Sequence, residues 1–143
     1  MAITSAICTS FKVEILKGLQ DFTASSGNTF NLALYTSDAS LGASTTAYTT
    51  SNEVSGSGYT AKGNALTSVT PVADSTTAVC DFADTSFTSA SFTARGCMIF
   101  NDSATGDPAV CVIDFVSDKT VTSGTFTIQF PAADASNAIV RIA

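Results

Sequence analysis

The side chains in this sequence that could carry chemistry are its cysteines, carboxylates and lysines, because the chain contains no histidine. The cysteines stand far apart, at Cys8, Cys80, Cys97 and Cys111. No CxxC pair occurs, and a zinc site of mixed Cys and His ligands is excluded. Nucleophilic catalysis by a Ser–His–Asp or Cys–His group is also excluded, because the imidazole base is missing. We therefore predict no metal, no cofactor and no catalytic residue.

The four cysteines are more simply explained as small apolar side chains. Cys80 and Cys111 alternate with apolar neighbours, in the phase expected for the buried face of a strand. A protein made in the cytoplasm seldom carries structural disulfides, so free thiols are favoured over paired ones. Both states stay open from the spacing alone.

Two pairs of aspartates have the residue type needed to hydrolyse a glycosidic bond, since that reaction uses two carboxyl groups across a cleft. Asp81 and Asp84 are close in sequence, and Asp114 and Asp118 flank a predicted strand end. No tryptophan is present to stack on a sugar. We interpret these aspartates as turn and strand-end residues, and we predict that the protein is not an enzyme.

The segment 101–107 reads Asn-Asp-Ser-Ala-Thr-Gly-Asp and concentrates oxygen atoms around a glycine. Calcium prefers oxygen ligands, but the segment lacks the acidic density and the terminal glutamate of an EF-hand loop. It also falls where two predicted strands require a connecting loop. A hairpin loop is the favoured interpretation, with a calcium site as the alternative.

These residues are positioned by one predicted helix followed by many predicted strands. Apolar residues recur at helical spacing at Phe11, Ile15, Leu19 and Phe22. The pattern predicts an amphipathic helix over about residues 9–23, with Thr9 or Ser10 as its N-terminal cap. We expect this helix either to pack on the sheets or to act as a docking arm.

From about residue 30 to about residue 142, apolar residues alternate with Ser and Thr, as in half-buried strands. The predicted strands include 65–72, 76–82, 91–100, 109–115, 125–130 and 138–142. Pro71 places the first of these at the edge or end of a sheet. The spacing predicts a mainly β fold, an antiparallel β-sandwich or jelly roll with one N-terminal helix, in a single domain over residues 1–143.

The chain is acidic and poor in charge, with a net charge of −6 and only 13% charged residues. Direct nucleic-acid binding needs clustered Lys and Arg, and the six basic residues here are scattered, so we predict none. No signal peptide and no long apolar run is visible, so we expect synthesis in the cytoplasm and no membrane partner. So few charges favour burial of the surface against other subunits, because little charge must be desolvated.

One stretch is more specific than the rest. Residues 52–63, with the pattern NEVSGxGYxAxG, resemble a group of small structural proteins of tailed-bacteriophage virions. The similarity includes 32–37 and 46–49 upstream, and 82–84, 93–96, 114–115, 118–120, 126–131 and 138–143 downstream, which is nearly the whole chain. At Lys62 the resemblance implies a second glycine, so this chain departs from the pattern there.

The resemblance implies a virion structural protein, and more narrowly a capsid decoration (cement) protein with a β-sandwich or jelly-roll fold. Such a protein stabilises the phage head by binding between major capsid proteins, and its other partners are copies of itself in a symmetric homo-oligomer. It is made in the host cytoplasm and is located in the virion. The alternatives are a tail tube or connector subunit and, from another class, a receptor- or glycan-binding module.

Under this interpretation, the segment 52–63 and the N-terminal helix are the predicted contact elements. The candidate interface residues are Phe11, Glu53, Val54, Tyr59 and Lys62. Tyr59 and Phe11 are the predicted apolar anchors, as large side chains often are at interfaces. A position in the core is the alternative for Phe11.

Overall fold

The chain folds into two antiparallel sheets and one short helix, in a computed structural model that describes residues 2–143. The elements are β1 (Ala6–Ile7), α1 (Thr9–Leu16), β2 (Phe30–Tyr35), β3 (Asn64–Ala65), β4 (Ser68–Asp74), β5 (Thr77–Phe82), β6 (Thr85–Asn101), β7 (Ala109–Ile128) and β8 (Val140–Ile142). The five-stranded sheet has the order β1-β7-β6-β2-β3, and the three-stranded sheet has the order β4-β5-β8. The prediction of a mainly β, antiparallel, sandwich-like fold with one N-terminal helix is confirmed.

Helix α1 is shorter than predicted, because it ends at Leu16. Gly18 adopts the left-handed conformation with φ 71°. The N–H groups of Gly18 and Leu19 donate hydrogen bonds to the carbonyls of Ile15 and Glu14, at 3.0 Å each. This pair of bonds is a Schellman motif, which satisfies the last carbonyls of a helix and needs a residue that tolerates positive φ. The predicted range 9–23 is therefore wrong beyond Leu16.

The start of α1 and its buried face also differ in part from the prediction. The N-cap residue is Cys8 and makes no side-chain capping bond, so the prediction of Thr9 or Ser10 as the cap is wrong. Phe11 is buried, as is Phe22, which enters the core from the irregular segment after the helix. Only part of the predicted apolar stripe is therefore on the helix.

Strands β6 and β7 form a long hairpin of 17 and 20 residues. Its connection contains the segment 102–107, so the prediction of a hairpin loop there is confirmed. Residues 109–115 and 125–128 are strand as predicted, but the prediction of two separate strands is wrong, because both stretches belong to the one strand β7, which ends at Ile128. The pairing register shifts between Ala90↔Gly124 and Phe92↔Val121, and Ser123 has φ 47°. An irregularity of this kind absorbs extra residues without ending a strand.

The core lies between the two sheets and is richest around β2. All six residues of β2 are buried, and the strand pairs with β6 at one edge and, over two residues, with β3 at the other. Phe22 stacks on Phe30 of β2 with ring centroids 4.2 Å apart, and Phe82 of β5 lies 5.9 Å from Phe30. These aromatic rings join the three-stranded sheet to the five-stranded one. Strand β4 is an edge strand, as Pro71 predicted.

Candidate interface around residues 52–63

The segment 52–63 runs along the edges of β2 and β6, with isolated bridges at Tyr35↔Glu53 and Ser57↔Ser91, instead of projecting from the five-stranded sheet. The N–H group of Val54 donates a hydrogen bond to the carbonyl of Leu34 on β2, at 2.9 Å. Further along, the N–H group of Ser91 on β6 donates to the carbonyl of Ser57, at 3.0 Å. The segment therefore makes backbone contacts with both β2 and β6.

The glycines of the NEVSGxGYxAxG motif permit this close approach. A Cβ atom at Gly58 would lie 2.6 Å from the Thr88 carbonyl oxygen, and Gly58 has φ 76°. At Gly63, with φ 64°, a Cβ atom would overlap the carbonyl group of Leu32. Only glycine combines positive φ with such a short backbone contact. The motif therefore encodes the packing of the segment on the sheet.

Glu53 is the polar centre of the segment. Its carboxylate accepts hydrogen bonds from the hydroxyls of Tyr48 and Tyr59, each at 2.6 Å, and from the N–H group of Lys62 at 2.8 Å. The Tyr59 hydroxyl also accepts a bond from the N–H group of Leu34, at 2.9 Å. Hydrogen bonds to a charged group are stronger than neutral ones, so this network fixes the segment on β2.

The tyrosines in this network are strongly held in their neutral form. Burial, followed by the hydrogen bond to Glu53, raises the pKa of Tyr59 far above its ordinary value. The same two causes raise the pKa of Tyr48 to about 12. The ring of Tyr59 lies against Phe87 and Phe92, with centroid distances of 5.5 Å and 5.9 Å. Tyr59 is therefore a packed residue with a satisfied hydroxyl.

Lys62 connects the segment to the β6–β7 loop. Its ammonium lies 2.7 Å from a carboxylate oxygen of Asp102 and 2.8 Å from one of Asp107. The hydrogen bond to Asp102, then that to Asp107, raises the pKa of Lys62. The ammonium is also 5.6 Å from the centroid of the Tyr48 ring and 5.9 Å from that of Phe100. Both aspartates of the loop that could have bound calcium therefore already face a cation of the chain.

The backbone of Lys62 agrees with the glycine that the resemblance implies at this position. Lys62 has φ 74°, in the left-handed region that glycine adopts most easily. Its side chain makes contacts that a glycine could not make. No group of three or more Cys, Asp or Glu side chains within residues 2–143 is arranged to hold a metal ion.

The structure brings three of the five candidate interface residues together and separates Phe11 from them. Glu53, Tyr59 and Lys62 form one network, and Val54 lies beside it, 5% exposed. Phe11 is 1% exposed and packs edge-on against Phe22, with ring centroids 5.8 Å apart. A contact role for these residues stays a prediction. Their side chains pack and form hydrogen bonds within the fold.

An open apolar groove, which we call the α1–β8 groove, was not predicted from the sequence. Its walls are Phe11, Ile15 and Leu16 of α1 and Val140 and Ile142 of β8. It consists of two adjoining hollows of about 140 Å³ and 300 Å³ that share Ile15, Val140 and Ile142. Leu16 is 90% exposed and Ile142 is 53% exposed at its lips. In the sequence, the apolar residue Leu16 beside the helical stripe was the one sign of this groove. Its exposure could not be predicted, because it depends on where the helix ends.

The cysteines lie in the core and are all free. Burial raises the pKa of the Cys97 thiol to about 12 and that of Cys80 to about 12. A thiol that stays protonated is a poor nucleophile and a poor metal ligand. The prediction that Cys80 and Cys111 are small buried side chains is confirmed.

No helix within residues 2–143 combines the length and the apolar character needed to cross a bilayer. Comparison with protein-family models, with curated proteins and with solved structures gives no match for this chain.

Proposed function

We propose that this protein is a structural component of a tailed-bacteriophage virion, and specifically a decoration protein that binds between major capsid proteins. The resemblance of residues 52–63 and of most other segments to small virion proteins supports the proposal. In this role the protein performs no catalysis. Its contribution is binding energy across the joints between capsid subunits, which raises the stability of the shell.

The observation that carries the proposal is where the exposed apolar side chains lie. Seven large apolar side chains are exposed among the described residues. Six of them are on α1, just after it, or on the three-stranded sheet: Val13, Leu16, Leu19, Val69, Val72 and Ile142. Concentrated apolar exposure marks a surface that other protein covers. The low charge of the chain reduces the desolvation cost of such contacts.

Copy number in purified particles tests the proposal. We expect on the order of hundreds of copies per particle, because a capsid repeats each binding site by symmetry. The count is made by mass spectrometry against the major capsid protein. On the order of tens of copies favours the tail tube or connector alternative, with its smaller symmetric rings. Absence from the particle contradicts a structural role in the virion.

A reconstitution experiment tests the decoration role itself. Particles lacking this protein are expected to release DNA at a lower temperature, and added purified protein is expected to restore the wild-type temperature. The variant Leu16→Glu should restore it poorly, since it places a charge on the apolar surface. Val116→Glu is the matched control, because Val116 is 79% exposed but does not line the α1–β8 groove. Equal rescue by both variants contradicts a role of α1 in docking.

A further inference from the structure

The α1–β8 groove is open because α1 is too short to cover the face of the three-stranded sheet. The helix ends at Leu16, and the chain turns away at Gly18. Below the helix, the groove floor reaches Phe22 and Cys80, both of which are buried. An apolar floor with exposed apolar lips is a surface that gains free energy when a further segment removes it from water.

The charge of the groove restricts which segment fits. Lys12 and Arg141 are the only charged side chains that line it in the described chain, and both are basic. The whole protein has six basic and twelve acidic residues, so a basic lining is unusual for its surface. Charge complementarity selects an apolar segment that carries carboxylates.

The chain itself contains such a segment, the β4–β5 hairpin. Strand β4 is an edge strand, and its Val69 and Val72 are exposed. No Lys or Arg occurs between Lys62 and Arg95, whereas the hairpin carries Asp74. An edge strand also presents unpaired backbone groups that favour an extended contact.

Strand β4 and the groove are neighbours on the same side of the molecule. Pro71 of β4 lines the groove together with Ile15 and Ile142. A surface that contains both a receptor and the segment it accepts can pair with a copy of itself around a two-fold axis. In such a pair each contact occurs twice: residue i of the first copy meets residue j of the second, and residue j of the first copy meets residue i of the second.

We propose that two copies of this chain pair reciprocally, with the β4 edge of each covering the α1–β8 groove of the other. Val72 of one protomer then approaches Leu16 and Ile142 of its partner, and Asp74 approaches Lys12. A stable pair of this kind buries about 800 Å² per protomer, about a ninth of the 7061 Å² accessible surface of the chain. The inference deepens the proposed function by naming the surface through which copies associate.

Sedimentation velocity on the purified full-length protein tests the pairing. At about 100 μM, a concentration at which a pair with a Kd of about 1 μM is almost fully formed, we expect a dimer. Leu16→Glu and Val72→Glu should each raise the dimer Kd at least about tenfold. Val116→Glu, on β7, should leave it unchanged. A wild-type monomer at this concentration overturns the proposal and leaves the groove to a segment of another protein.

Engineered cysteines test which surfaces meet. When Leu16→Cys and Val72→Cys proteins are mixed and mildly oxidised, we expect disulfides chiefly between position 16 of one copy and position 72 of the other. The four native cysteines are buried and serve as an internal background. A dimer that forms only 16–16 or 72–72 disulfides overturns the reciprocal arrangement. These measurements use isolated protein. A negative result therefore contradicts the pairing, whereas only the absence of the protein from particles contradicts the virion role.

Discussion

Glu53 shows how a single carboxylate can organise a glycine-rich segment. It receives two tyrosine hydroxyls and one backbone N–H group, so both of its oxygens are used. The donors come from Tyr48 before the segment and from Tyr59 and Lys62 within it. Because the Tyr59 hydroxyl also accepts a hydrogen bond from the N–H group of Leu34, the carboxylate is linked through one hydroxyl to strand β2. The acidic residue of the motif, Glu53, thus helps to hold the segment 52–63 in its folded position.

Replacing Glu53 with glutamine is expected to destabilise the protein by about 1–3 kcal/mol, the cost of leaving buried polar groups poorly paired. The amide keeps a similar shape, but it loses the negative charge, and its NH₂ group faces the Tyr48 hydroxyl, which must then accept a hydrogen bond instead of donating one. The urea dependence of unfolding measures the change. Glu14→Gln is the matched control, because the Glu14 carboxylate accepts a single side-chain hydrogen bond, from the Gln20 amide. Equal effects of the two changes contradict a central role for Glu53.

At the scale of elements, the segment 52–63 and α1 have opposite characters. The segment lacks regular structure, yet its glycines place its backbone directly on β2 and β6. Helix α1 is regular, yet it buries little beyond Phe11 and leaves Leu16 exposed. The irregular segment therefore contributes more to the packing of the five-stranded sheet, and the helix contributes more to the accessible apolar surface.

Gly58→Ala is expected to destabilise the fold more than Gly106→Ala. Both glycines have positive φ, which costs an alanine about 1–2 kcal/mol. At Gly106 a Cβ atom meets nothing within 4 Å, whereas at Gly58 it meets backbone of β6. Overpacking should add about 1–3 kcal/mol at Gly58 alone. Urea denaturation of the two variants measures the difference, and equal losses would show that the segment has room to move.

Phe11→Ala is expected to cost about 3–5 kcal/mol, the usual loss when a buried phenylalanine leaves a cavity. Leu16→Ala, on the same helix, should change the stability of the single protomer by no more than about 0.5 kcal/mol at protein concentrations below the dimer Kd, because the side chain is 90% exposed there. Thermal and urea unfolding of the two variants provides the comparison. A small effect of Phe11→Ala would show that α1 is dispensable for the core and serves as a docking arm.

At the scale of the whole molecule, many titratable groups lie where burial opposes their charged form. Burial raises the pKa of the Cys97 thiol from 9.0 to about 12. Burial also raises the pKa of Tyr48 from 10.0 to about 12, and the pKa of Tyr35 is raised for the same first reason. In the unfolded chain these groups lose their protons at ordinary values. The folded protein therefore binds more protons than the unfolded chain at alkaline pH.

The free energy of unfolding is expected to fall as the pH rises above about 9, because stability decreases wherever the folded state binds more protons. The contribution of each raised group is fully present below its unfolded pKa and is lost as the pH rises toward its folded pKa. Urea midpoints from about pH 7 to about pH 11 measure the slope. In the Cys97→Ala variant, the free energy of unfolding should fall less steeply with rising pH, since the variant lacks one of the groups whose pKa is raised. A constant midpoint contradicts the raised pKa values.

The sequence by itself determined the β class, the hairpin loop after β6 and the burial of Cys80 and Cys111. Alternation with period two is a local property, and it specifies which face of a strand is apolar. The end of the helix was not among these features, because the apolar spacing predicted a helix to about residue 23 and the structure ends it at Leu16, before Gly18. The resemblance singled out the segment 52–63 in the sequence, and its glycines indicated backbone conformations with positive φ.

Only the tertiary structure decided where these residues point and what they meet. Lys62 reaches Asp102, 40 positions away, and Tyr59 bonds to Leu34, 25 positions away. Such pairs depend on the register of strands and on the path of loops, which local periodicity does not encode. For the same reason Leu16, which lies beside the apolar stripe at the end of α1, is exposed. Sequence thus set the faces of the elements, and packing between distant segments decided which faces remain accessible.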